Sequence, residues 1–419
     1  MGTLYDARHR RRRQEARRGR GERLRPRCAE DRLKLLAVNW LDIGSPAAGG
    51  AEVHLHEILR RWRARGHDIT WLAAAFPGLP REDERDGIRI VRRGAWWNAN
   101  HTLPAAYRRE LAGERFDVVI EDINKLPFFA PRWAKAPVLA VVPHLFGTTV
   151  YQETDWAQGS YVLAHEALIP LVYRDTPFIA ISPSTREDLV ARGLPRENVS
   201  LVYCGLDHAR FRPTAPKAQR PTVVFLGRLR RYKGVDTLLD AFATVASALP
   251  DAVLEIVGDG PYKGALEARA RKLGLAGDGG RVNFRGFVPA DEKVALLSSA
   301  HVAVCPSPKE GWGLTVVESN ACGTAVVASR SPGLVDSVRD GVTGLLVPHG
   351  DAPALAGAMR RVLEDAPLRT RLESEGRAWA ATFTWERCAD EAHAVLERVR
   401  GRVAAPAAGP AVRAAMGAF

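Results

Sequence analysis

The strongest constraint on the fold is an alternation of short apolar runs with amphipathic helical segments, which extends over most of the 419-residue chain. The runs LKLLAVNW (33–40), DVVIED (117–122) and PVLAVVPH (137–144) predict strands, whereas AEVHLHEILRRWRARG (51–66) predicts a helix. Strands that alternate with helices and are apolar on both faces form parallel sheets covered by helices. The chain is therefore predicted to have an α/β fold.

The alternation occurs twice. It stops at HARFRPTAPKAQRP (208–221), which is rich in proline and has no periodicity, and it restarts with TVVFLGRL (222–229). We therefore expect two doubly wound parallel-sheet (Rossmann-like) domains that face a central cleft. Ligands of such sheets bind beyond the carboxyl ends of the strands, so the loops that follow strands should line this cleft.

The predicted organisation has six parts. They are a disordered Arg-rich tail (1–32), an N-terminal Rossmann-like domain (33–207), a linker (208–221), a C-terminal Rossmann-like domain (222–382), a terminal helix (383–402) and a flexible tail (403–419).

Most of the net charge of +12 comes from the N-terminal tail, since residues 1–34 contain 13 Lys and Arg against 5 Asp and Glu. Such a tail can bind nucleic acid or acidic lipid. Arginine is abundant throughout the chain, with 51 Arg and 9 Lys, which favours a composition bias without a specific role.

Cysteine usage and hydropathy predict a cytoplasmic protein. The five cysteines are scattered without a C-x-x-C pair, which argues against a zinc ribbon or a disulfide framework. The chain contains no apolar run of about 18 residues, as a transmembrane helix would need, and its start lacks the apolar segment of a secretory signal.

The segment GRLRRYKG (227–234) follows a predicted strand and opens a predicted helix. The guanidinium of Arg228 and the ammonium of Lys233, beside the N–H groups of a helix start, would bind a diphosphate. The alternative is a solvated basic loop, and we assign Arg230 and Arg231 to solvent.

The segment KEGWGLTVVE (309–318) also follows a predicted strand. Gly311 and Gly313 allow backbone N–H groups to approach an anion closely. The carboxylates of Glu310 and Glu318 accept hydrogen bonds from vicinal hydroxyls, which favours a sugar or a ribose as ligand. In the alternative interpretation, Glu318 faces solvent and Trp312 is a packing residue.

Three further groups follow strands of the first half. Gly49 and Gly50 precede a helix, which suits a phosphate or an acceptor but is also found in plain turns. His144 ends a strand, where it could exchange a proton with a substrate hydroxyl or serve the structure alone. The segment EDINK (121–125) adds Asp122 and Asn124 to the same rim.

Several motifs are absent from the sequence. It contains no D-x-D, the common means of holding a divalent metal against a nucleotide diphosphate, so we expect no metal site. It also has no G-x-G-x-x-G fingerprint for a nicotinamide cofactor, no P-loop and no G-x-S-x-G. A bound diphosphate would be neutralised by Arg, Lys and helix N-termini.

Taken together, the motifs resemble those of the retaining glycosyltransferases of family 4 (glycosyl transferases group 1), which have the GT-B fold. The matching segments, in the family's order and spacing, are FLGRLRRYKGVDTLLDAF, LEIVGDGP, VNFRGFV, PSPKEGWGLTVVESNACGTAVVAS and GVTGLLVP. The resemblance covers roughly residues 35–400. It implies that the N-terminal domain lies on the acceptor side and that the C-terminal domain binds a nucleotide sugar.

The resemblance implies donor-binding roles for individual residues. Glu310 would bind hydroxyls of the transferred sugar, Glu318 would bind the ribose, and Arg228 and Lys233 would bind the diphosphate. The remaining donor contacts would come from the loops at Gly227, Gly311, Trp312, Gly313, Leu314 and Thr315, and the backbone near Phe287 would meet the base.

On the N-terminal side, His144 matches the position of a histidine near the donor sugar, and Gly49–Gly50 matches a glycine loop near the acceptor and the phosphate. The terminal helix near Trp385 would pack on the N-terminal domain. The rim EDINKLPFF departs from the short His-rich segment of many members, so the acceptor stays open.

The implied activity is metal-independent transfer of a sugar from a nucleoside diphosphate sugar to an acceptor hydroxyl, with retention at the anomeric carbon and with no cofactor. The acceptor could be a glycan, a lipid-linked molecule or a secondary metabolite. The alternatives are a GT-B sugar phosphorylase and a non-enzymatic nucleic-acid binder acting through the tail. We expect no nucleic-acid partner, and the basic helix 51–66 leaves open a peripheral contact with the inner face of the membrane.

Overall fold

The computed structural model describes residues 32–277 and 280–404. The predicted N-terminal and C-terminal tails lie outside the described residues, apart from their innermost positions. The described chain forms one sheet from residues 34–201 and a second sheet from residues 222–347.

The N-terminal sheet has eight strands in the order β3-β4-β2-β1-β5-β6-β7-β8. All neighbouring strands are parallel except β3 and β4, which form an antiparallel hairpin. The strands are β1 (Lys34–Val38), β2 (Asp68–Ala74), β3 (Glu82–Arg85), β4 (Ile88–Arg93), β5 (Val118–Asp122), β6 (Val138–Val142), β7 (Phe178–Ala180) and β8 (Val199–Leu201).

The β3–β4 hairpin is absent from the sequence-based assignment because its strands are rich in charged residues. Asp86 and Gly87 form its turn with φ angles of 50° and 75°. An Asp-Gly pair between two short runs is a strong hairpin signal, so the turn chemistry was sufficient to predict it.

Five helices cover the N-terminal sheet: α1 (Gly50–Ala64), α2 (Ala99–Ala106), α3 (Trp156–Ala167), α4 (Ile169–Val172) and α5 (Pro183–Ala191). Ser182 caps α5, since its side chain accepts a hydrogen bond from the Thr185 N–H at 3.1 Å. In α1, the apolar side chains Leu55, Leu59 and Trp62 are buried against the core.

The C-terminal sheet has six parallel strands in the order β11-β10-β9-β12-β13-β14. They are β9 (Thr222–Leu226), β10 (Val253–Val257), β11 (Val282–Gly286), β12 (Val302–Cys305), β13 (Ala325–Ser329) and β14 (Leu345–Val347). Its helices are α6 (Val235–Ala248), α7 (Lys263–Lys272), α8 (Ala290–Ser299), α9 (Leu314–Ala321), α10 (Leu334–Ser337), α11 (Ala352–Glu364) and α12 (Ala366–Ala380). Two parallel-sheet domains confirm the predicted fold class.

The last helix, α13 (Trp385–Ala404), returns to the N-terminal domain and packs on α1. The Trp62 indole N–H donates to the Ala389 carbonyl at 3.0 Å, and Arg61 pairs with Glu386 at 2.7 Å. Arg65 pairs with Asp390 on the same helix. Much of the basic face of α1 is thus engaged within the protein rather than exposed to a membrane.

No helix within residues 32–277 and 280–404 is long and apolar enough to cross a bilayer.

Candidate active site

A cavity of about 350 Å³ lies between the two domains, beyond the carboxyl ends of their strands. Most of the predicted site residues line it. They are Gly49, Gly50, Asn124, His144, Gly227, Arg228, Lys233, Glu310, Gly311, Trp312, Gly313, Leu314 and Thr315. The remaining three, Asp122, Glu318 and Phe287, are not part of its wall.

Lys233 and Glu310 form the central ion pair of the cavity, with the Lys233 Nζ atom 2.5 Å from Glu310 Oε1. Burial alone would lower the pKa of Lys233, but the Glu310 carboxylate raises it above its ordinary value. Burial would raise the pKa of Glu310, and the Lys233 charge reverses this and lowers it. Both groups are therefore charged at neutral pH and form a contact ion pair in the cavity wall.

The loop 311–313 depends on its two glycines. A Cβ atom on Gly311 would lie 2.9 Å from the Pro143 carbonyl oxygen of the N-terminal domain, so only glycine allows this approach. Gly313 has a φ of 80° and caps α9, whose first residues, Leu314 and Thr315, face the cavity. The N-terminal end of α9 therefore directs free backbone N–H groups toward the cavity.

Trp312 has a structural role as well as a place in the cavity wall. It is 2% exposed and packs against Tyr203 and Phe383, with ring centroids 4.8 Å and 5.0 Å away. Tyr203 belongs to the N-terminal domain, and Phe383 precedes α13. This aromatic cluster fixes the loop 311–313 at the junction of the two domains.

Arg228 spans the cleft. Its Nη2 atom donates to the carbonyls of Ala47 and Ala48 at 2.6 Å and 2.8 Å. The adjacent Gly49 and Gly50 lie so close to the C-terminal domain that added Cβ atoms would be 3.5 Å from the Arg228 guanidinium and 3.4 Å from a Leu314 methyl group. The glycine loop is thus held against the loop that was predicted to bind a diphosphate.

The N-terminal wall carries a group of buried acceptors. The Glu52 carboxylate accepts from Asn124 Nδ2 at 3.0 Å and from the Gly49 N–H at 2.7 Å. Asp122 lies behind them and accepts from Asn39 Nδ2 at 2.9 Å. Burial raises the pKa of Asp122 well above its ordinary value, and the neighbouring Glu52 and Glu121 carboxyls raise it further. Oδ1 of Asp122 and Oδ1 of Asn124 are buried without a hydrogen-bond donor among the described residues.

Glu121 has a different task from its neighbour Asp122. It accepts from the backbone N–H groups of Phe128 and Ala130 at 2.6 Å and 2.9 Å and from the Tyr173 hydroxyl at 2.7 Å. Burial raises the pKa of Glu121 to about 7, although these hydrogen bonds oppose the rise. Its role is to fix the loop after β5.

Two predicted donor residues lie away from the cavity. Glu318 is on α9, where its carboxylate pairs with Lys293 at 2.9 Å, and burial raises its pKa despite that partner. The alternative interpretation, in which Glu318 faces solvent, is therefore wrong, because its carboxylate is held in a largely buried ion pair. The Phe287 side chain is 87% exposed at the end of β11.

Some residues of the site were missed from sequence. Lys125 lines the cavity as a third cation, and burial lowers its pKa. Glu52 was overlooked as an ordinary helix residue, although a Gly-x-x-Glu spacing at a helix start is a capping signal. Glu153 accepts from the Tyr232 N–H at 3.0 Å across the cleft. Nothing in the local sequence of Glu153 indicates that contact.

His144 stays neutral because burial lowers its pKa to about 4, and the nearby Glu310 carboxylate offsets only part of that effect. In the unfolded chain the pKa of His144 is near 6.5. Between pH 6.5 and pH 4 the imidazole is therefore protonated in the unfolded chain but neutral in the folded protein. Stability should therefore fall over that window as the pH falls.

We expect His144→Gln to lose less stability than the wild type when the pH is lowered from 7 to 5. Urea unfolding at both pH values measures the difference. An equal loss in both proteins would show that His144 does not contribute to the pH dependence.

Among residues 32–277 and 280–404, no group of three or more His, Cys, Asp or Glu side chains is placed to hold a metal ion.

Comparison with known families agrees with this architecture. Residues 208–379 match the family model described as glycosyl transferases group 1, and residues 48–210 match the model described as glycosyltransferase family 4. The two models together account for nearly the whole described chain.

Full-length relatives point to the same family. The chain is 30% identical over 364 residues to the GDP-mannose-dependent alpha-(1-6)-phosphatidylinositol monomannoside mannosyltransferase of Mycolicibacterium smegmatis, an alignment that covers 80% of this chain and 91% of that protein. It is 26% identical over 389 residues to the glycogen synthase of Mycobacterium tuberculosis, covering 84% and 92% of the two chains.

Solved structures share the fold. Sucrose-phosphate synthase from Thermosynechococcus elongatus superposes with a TM-score of 0.77 at 25% identity, covering 88% of this chain and all of that one. The Anabaena protein HepE, solved with UDP-glucose, superposes with a TM-score of 0.69 at 20% identity, covering 87% and 100% of the two chains. The chain therefore belongs to glycosyltransferase family 4, the group 1 glycosyltransferases, and is a glycosyltransferase with the GT-B fold.

Proposed function

We propose that the protein transfers a sugar from a nucleoside diphosphate sugar to an acceptor hydroxyl, with retention at the anomeric carbon and without a metal ion. The observation that carries the proposal is the Lys233–Glu310 pair on the wall of the interdomain cavity, 2.5 Å between charged atoms and beside Arg228. The mycobacterial mannosyltransferase relative is named as GDP-mannose-dependent, which supports a nucleotide sugar as donor.

Positive charge for the diphosphate would come from the chain itself. Arg228, Lys233 and Lys125 line one cavity, together with the N-terminal end of α9. Preorganised cations and N–H groups of this kind stabilise charge that develops on a leaving group. They supply the neutralisation that a divalent ion provides in other transferases, which is the support for metal independence.

Glu310 would hold hydroxyls of the transferred sugar rather than deliver a proton. Its pKa is lowered by the charge of Lys233, against the effect of burial, so it remains a carboxylate with acceptor capacity. Glu318 and the backbone near Phe287 are proposed to serve the ribose and the base at the outer end of the donor.

The transfer breaks the bond between the anomeric carbon and the diphosphate oxygen and forms a bond from that carbon to the acceptor oxygen on the same face. The proton of the acceptor hydroxyl passes to the departing phosphate oxygen. Lys233 and Arg228 would stabilise the nucleoside diphosphate that leaves. For Arg228 this requires exchange of its Ala47 and Ala48 carbonyl partners for phosphate oxygens.

The acceptor would approach from the N-terminal wall. The Asn124 side chain, with Oδ1 buried and unsatisfied, lines the cavity next to Glu52 and the Gly49–Gly50 loop. Because Asn124 Oδ1 is buried, an acceptor hydroxyl would donate to it only after a local rearrangement, and that hydrogen bond would satisfy the atom. Asp122 and Glu52 would orient Asn124 and the loop rather than touch the donor.

Donor binding is tested by thermal unfolding in the presence of UDP-, GDP-, ADP- and dTDP-sugars, with and without EDTA. A ligand at one hundred times its Kd stabilises the folded state by about 2.7 kcal/mol, so at least one donor should raise Tm by several degrees. EDTA should leave the rise unchanged. Incubation of that donor with an acceptor should give a product whose anomeric configuration, read by NMR coupling, equals that of the donor.

Lys263→Ala is the control for the loss of a lysine outside the cavity, because Lys263 makes only one ion pair, an exposed one with Glu267 at 4.0 Å. It should respond to the donor as the wild type does. Loss of the stabilisation in EDTA would contradict metal independence, and an inverted product would contradict retention. If orthophosphate were required for sugar release, the phosphorylase alternative would hold instead.

A further inference from the structure

The N-terminal domain exposes a set of large aromatic side chains that neither the core nor the proposed donor site uses. Trp96, Trp97, Trp156 and Tyr161 are 52%, 68%, 78% and 43% exposed. We refer to these four residues as the aromatic strip. Single exposed aromatics are ordinary, but several on neighbouring elements indicate a binding surface.

Two helices contribute to the aromatic strip, and polar side chains join them at Tyr161. Asn100 Nδ2, in the first turn of α2, donates to the Tyr161 hydroxyl of α3 at 2.9 Å. The His101 Nε2 atom lies 3.1 Å from the same hydroxyl oxygen. Trp96 and Trp97 immediately precede α2, so their turn meets α3 at Tyr161.

The strip begins at the mouth of the cavity. Glu153, which lies before α3, accepts from the Tyr232 N–H at 3.0 Å and lies 3.4 Å from Arg230, so the segment that leads into α3 contacts the loop that carries Lys233. Trp156 follows Glu153 by three residues. At 1.5 Å per helical residue, Tyr161 lies roughly 7.5 Å further along the axis. The stretch from Trp156 to Tyr161 is therefore shorter than two sugar rings, and contacts with further rings would come from Trp96 and Trp97 in the turn before α2.

The charge of the strip argues against an anionic ligand. The chain has 60 Lys and Arg among its 419 residues, yet the segments 94–107 and 154–173 contain none. Helices that dock on anionic membranes carry basic residues on their polar face. A neutral ligand fits better, and the polar groups beside the strip are the Asn100 amide and the His101 imidazole, which together with the Tyr161 phenol suit hydroxyls.

We propose that the aromatic strip binds a carbohydrate chain whose terminal residue enters the cavity as the sugar acceptor. The flat faces of the tryptophans would cover the apolar C–H faces of sugar rings, while Asn100, His101 and Tyr161 hydrogen-bond to ring hydroxyls. The assignment of the bound chain as acceptor rests on the proposed function. It narrows the acceptor class to molecules with an extended glycan.

Isothermal titration calorimetry with defined probes tests the strip. Maltohexaose and α-1,6-linked mannohexaose are compared with methyl glucoside and methyl mannoside as single-ring controls. At least one hexasaccharide should bind more tightly than its single-ring control, and Trp97→Ala and Trp156→Ala should each weaken it by about tenfold. Trp97→Phe and Trp156→Phe keep an aromatic face and should retain most of the affinity.

Each other outcome overturns the proposal. These outcomes are equal binding of hexasaccharides and single rings, no saccharide binding at all, and equal binding by the alanine variants and the wild type. Tryptophan-dependent binding to phosphatidylcholine–phosphatidylglycerol vesicles, without saccharide binding, would assign the strip to lipid. Donor-induced thermal stabilisation is measured on the same variants and should be unchanged. Its absence in the wild type would instead count against the proposed function.

Discussion

Replacement of Lys233 by alanine is expected to lower kcat by roughly two to three orders of magnitude, the effect of removing one preorganised donor from a developing negative charge. The Lys233 Nζ atom is 2.5 Å from Glu310 Oε1 in a largely buried site, so no bulk water can replace it efficiently. Removing it also leaves the Glu310 carboxylate without its cation, and the pKa of Glu310 should rise as a result. Steady-state kinetics with the donor found by thermal unfolding measures the loss.

A second variant separates the effect on stability from the effect on activity. In Lys233→Ala/Glu310→Gln no uncompensated carboxylate remains, so the protein should be more stable than Lys233→Ala. Its kcat should stay low, because both the cation and the carboxylate that is proposed to bind the sugar are missing. Lys263→Ala should be as active as the wild type. Each factor of ten in kcat corresponds to about 1.4 kcal/mol of barrier. A kcat of Lys233→Ala within about threefold of the wild type would therefore show that Lys233 does not stabilise the transition state.

Replacement of Asp42 by asparagine is expected to lower the free energy of unfolding by about 3 kcal/mol, the lower end of the cost of breaking a buried ion pair, because Asp83 at 3.0 Å still pairs with Arg92. Arg92 is fully buried and donates to both Asp42 oxygens, at 2.6 Å and 2.7 Å. Asp42 also accepts from the Gly44 N–H at 2.8 Å, so the pair holds the start of the segment that leads to Gly49. Urea unfolding at constant slope measures the change through the midpoint.

Asp240→Asn is the control for this variant, because Asp240 and Arg269 form an ion pair that is 34% and 44% exposed. Exposed pairs contribute about 0–1 kcal/mol, so the control should unfold almost as the wild type does. If Asp42→Asn matched the control, the remaining pair with Asp83 would be sufficient to compensate the buried Arg92 charge, and the predicted loss would be wrong.

The sequence was most informative where chemistry is local to a loop. GRLRRYKG and KEGWG contain their glycines and charges within a few residues, so Arg228, Lys233 and Glu310 could be assigned to one cleft before any contact was known. Period and apolarity were sufficient for the central strands of both sheets, such as β5, β6 and β10, which are buried on both faces, but they missed the charged hairpin β3–β4.

Residues that act across long separations could not be assigned in this way. Glu153 contacts Tyr232 79 positions away, and Arg92 contacts Asp42 50 positions away. Each is an ordinary charged residue in its own segment, and its partner is defined only by the packing of two strands or two domains. Glu318 was identified by its spacing from Glu310, but that spacing did not reveal Lys293 as its ion-pair partner.

The return of α13 to the N-terminal domain has a mechanical consequence. The chain crosses between the domains twice, and the two crossings touch, with His208 Nε2 2.7 Å from the Phe383 carbonyl oxygen and a β-bridge joining Leu206 to Thr384. These two adjacent backbone segments form a hinge along one edge of the interdomain cleft. If the domains open, two adjacent connections on one edge favour rotation about that edge over twisting or sliding. We therefore expect each closure to return Lys233 and Glu310 to the same position against the glycine loop.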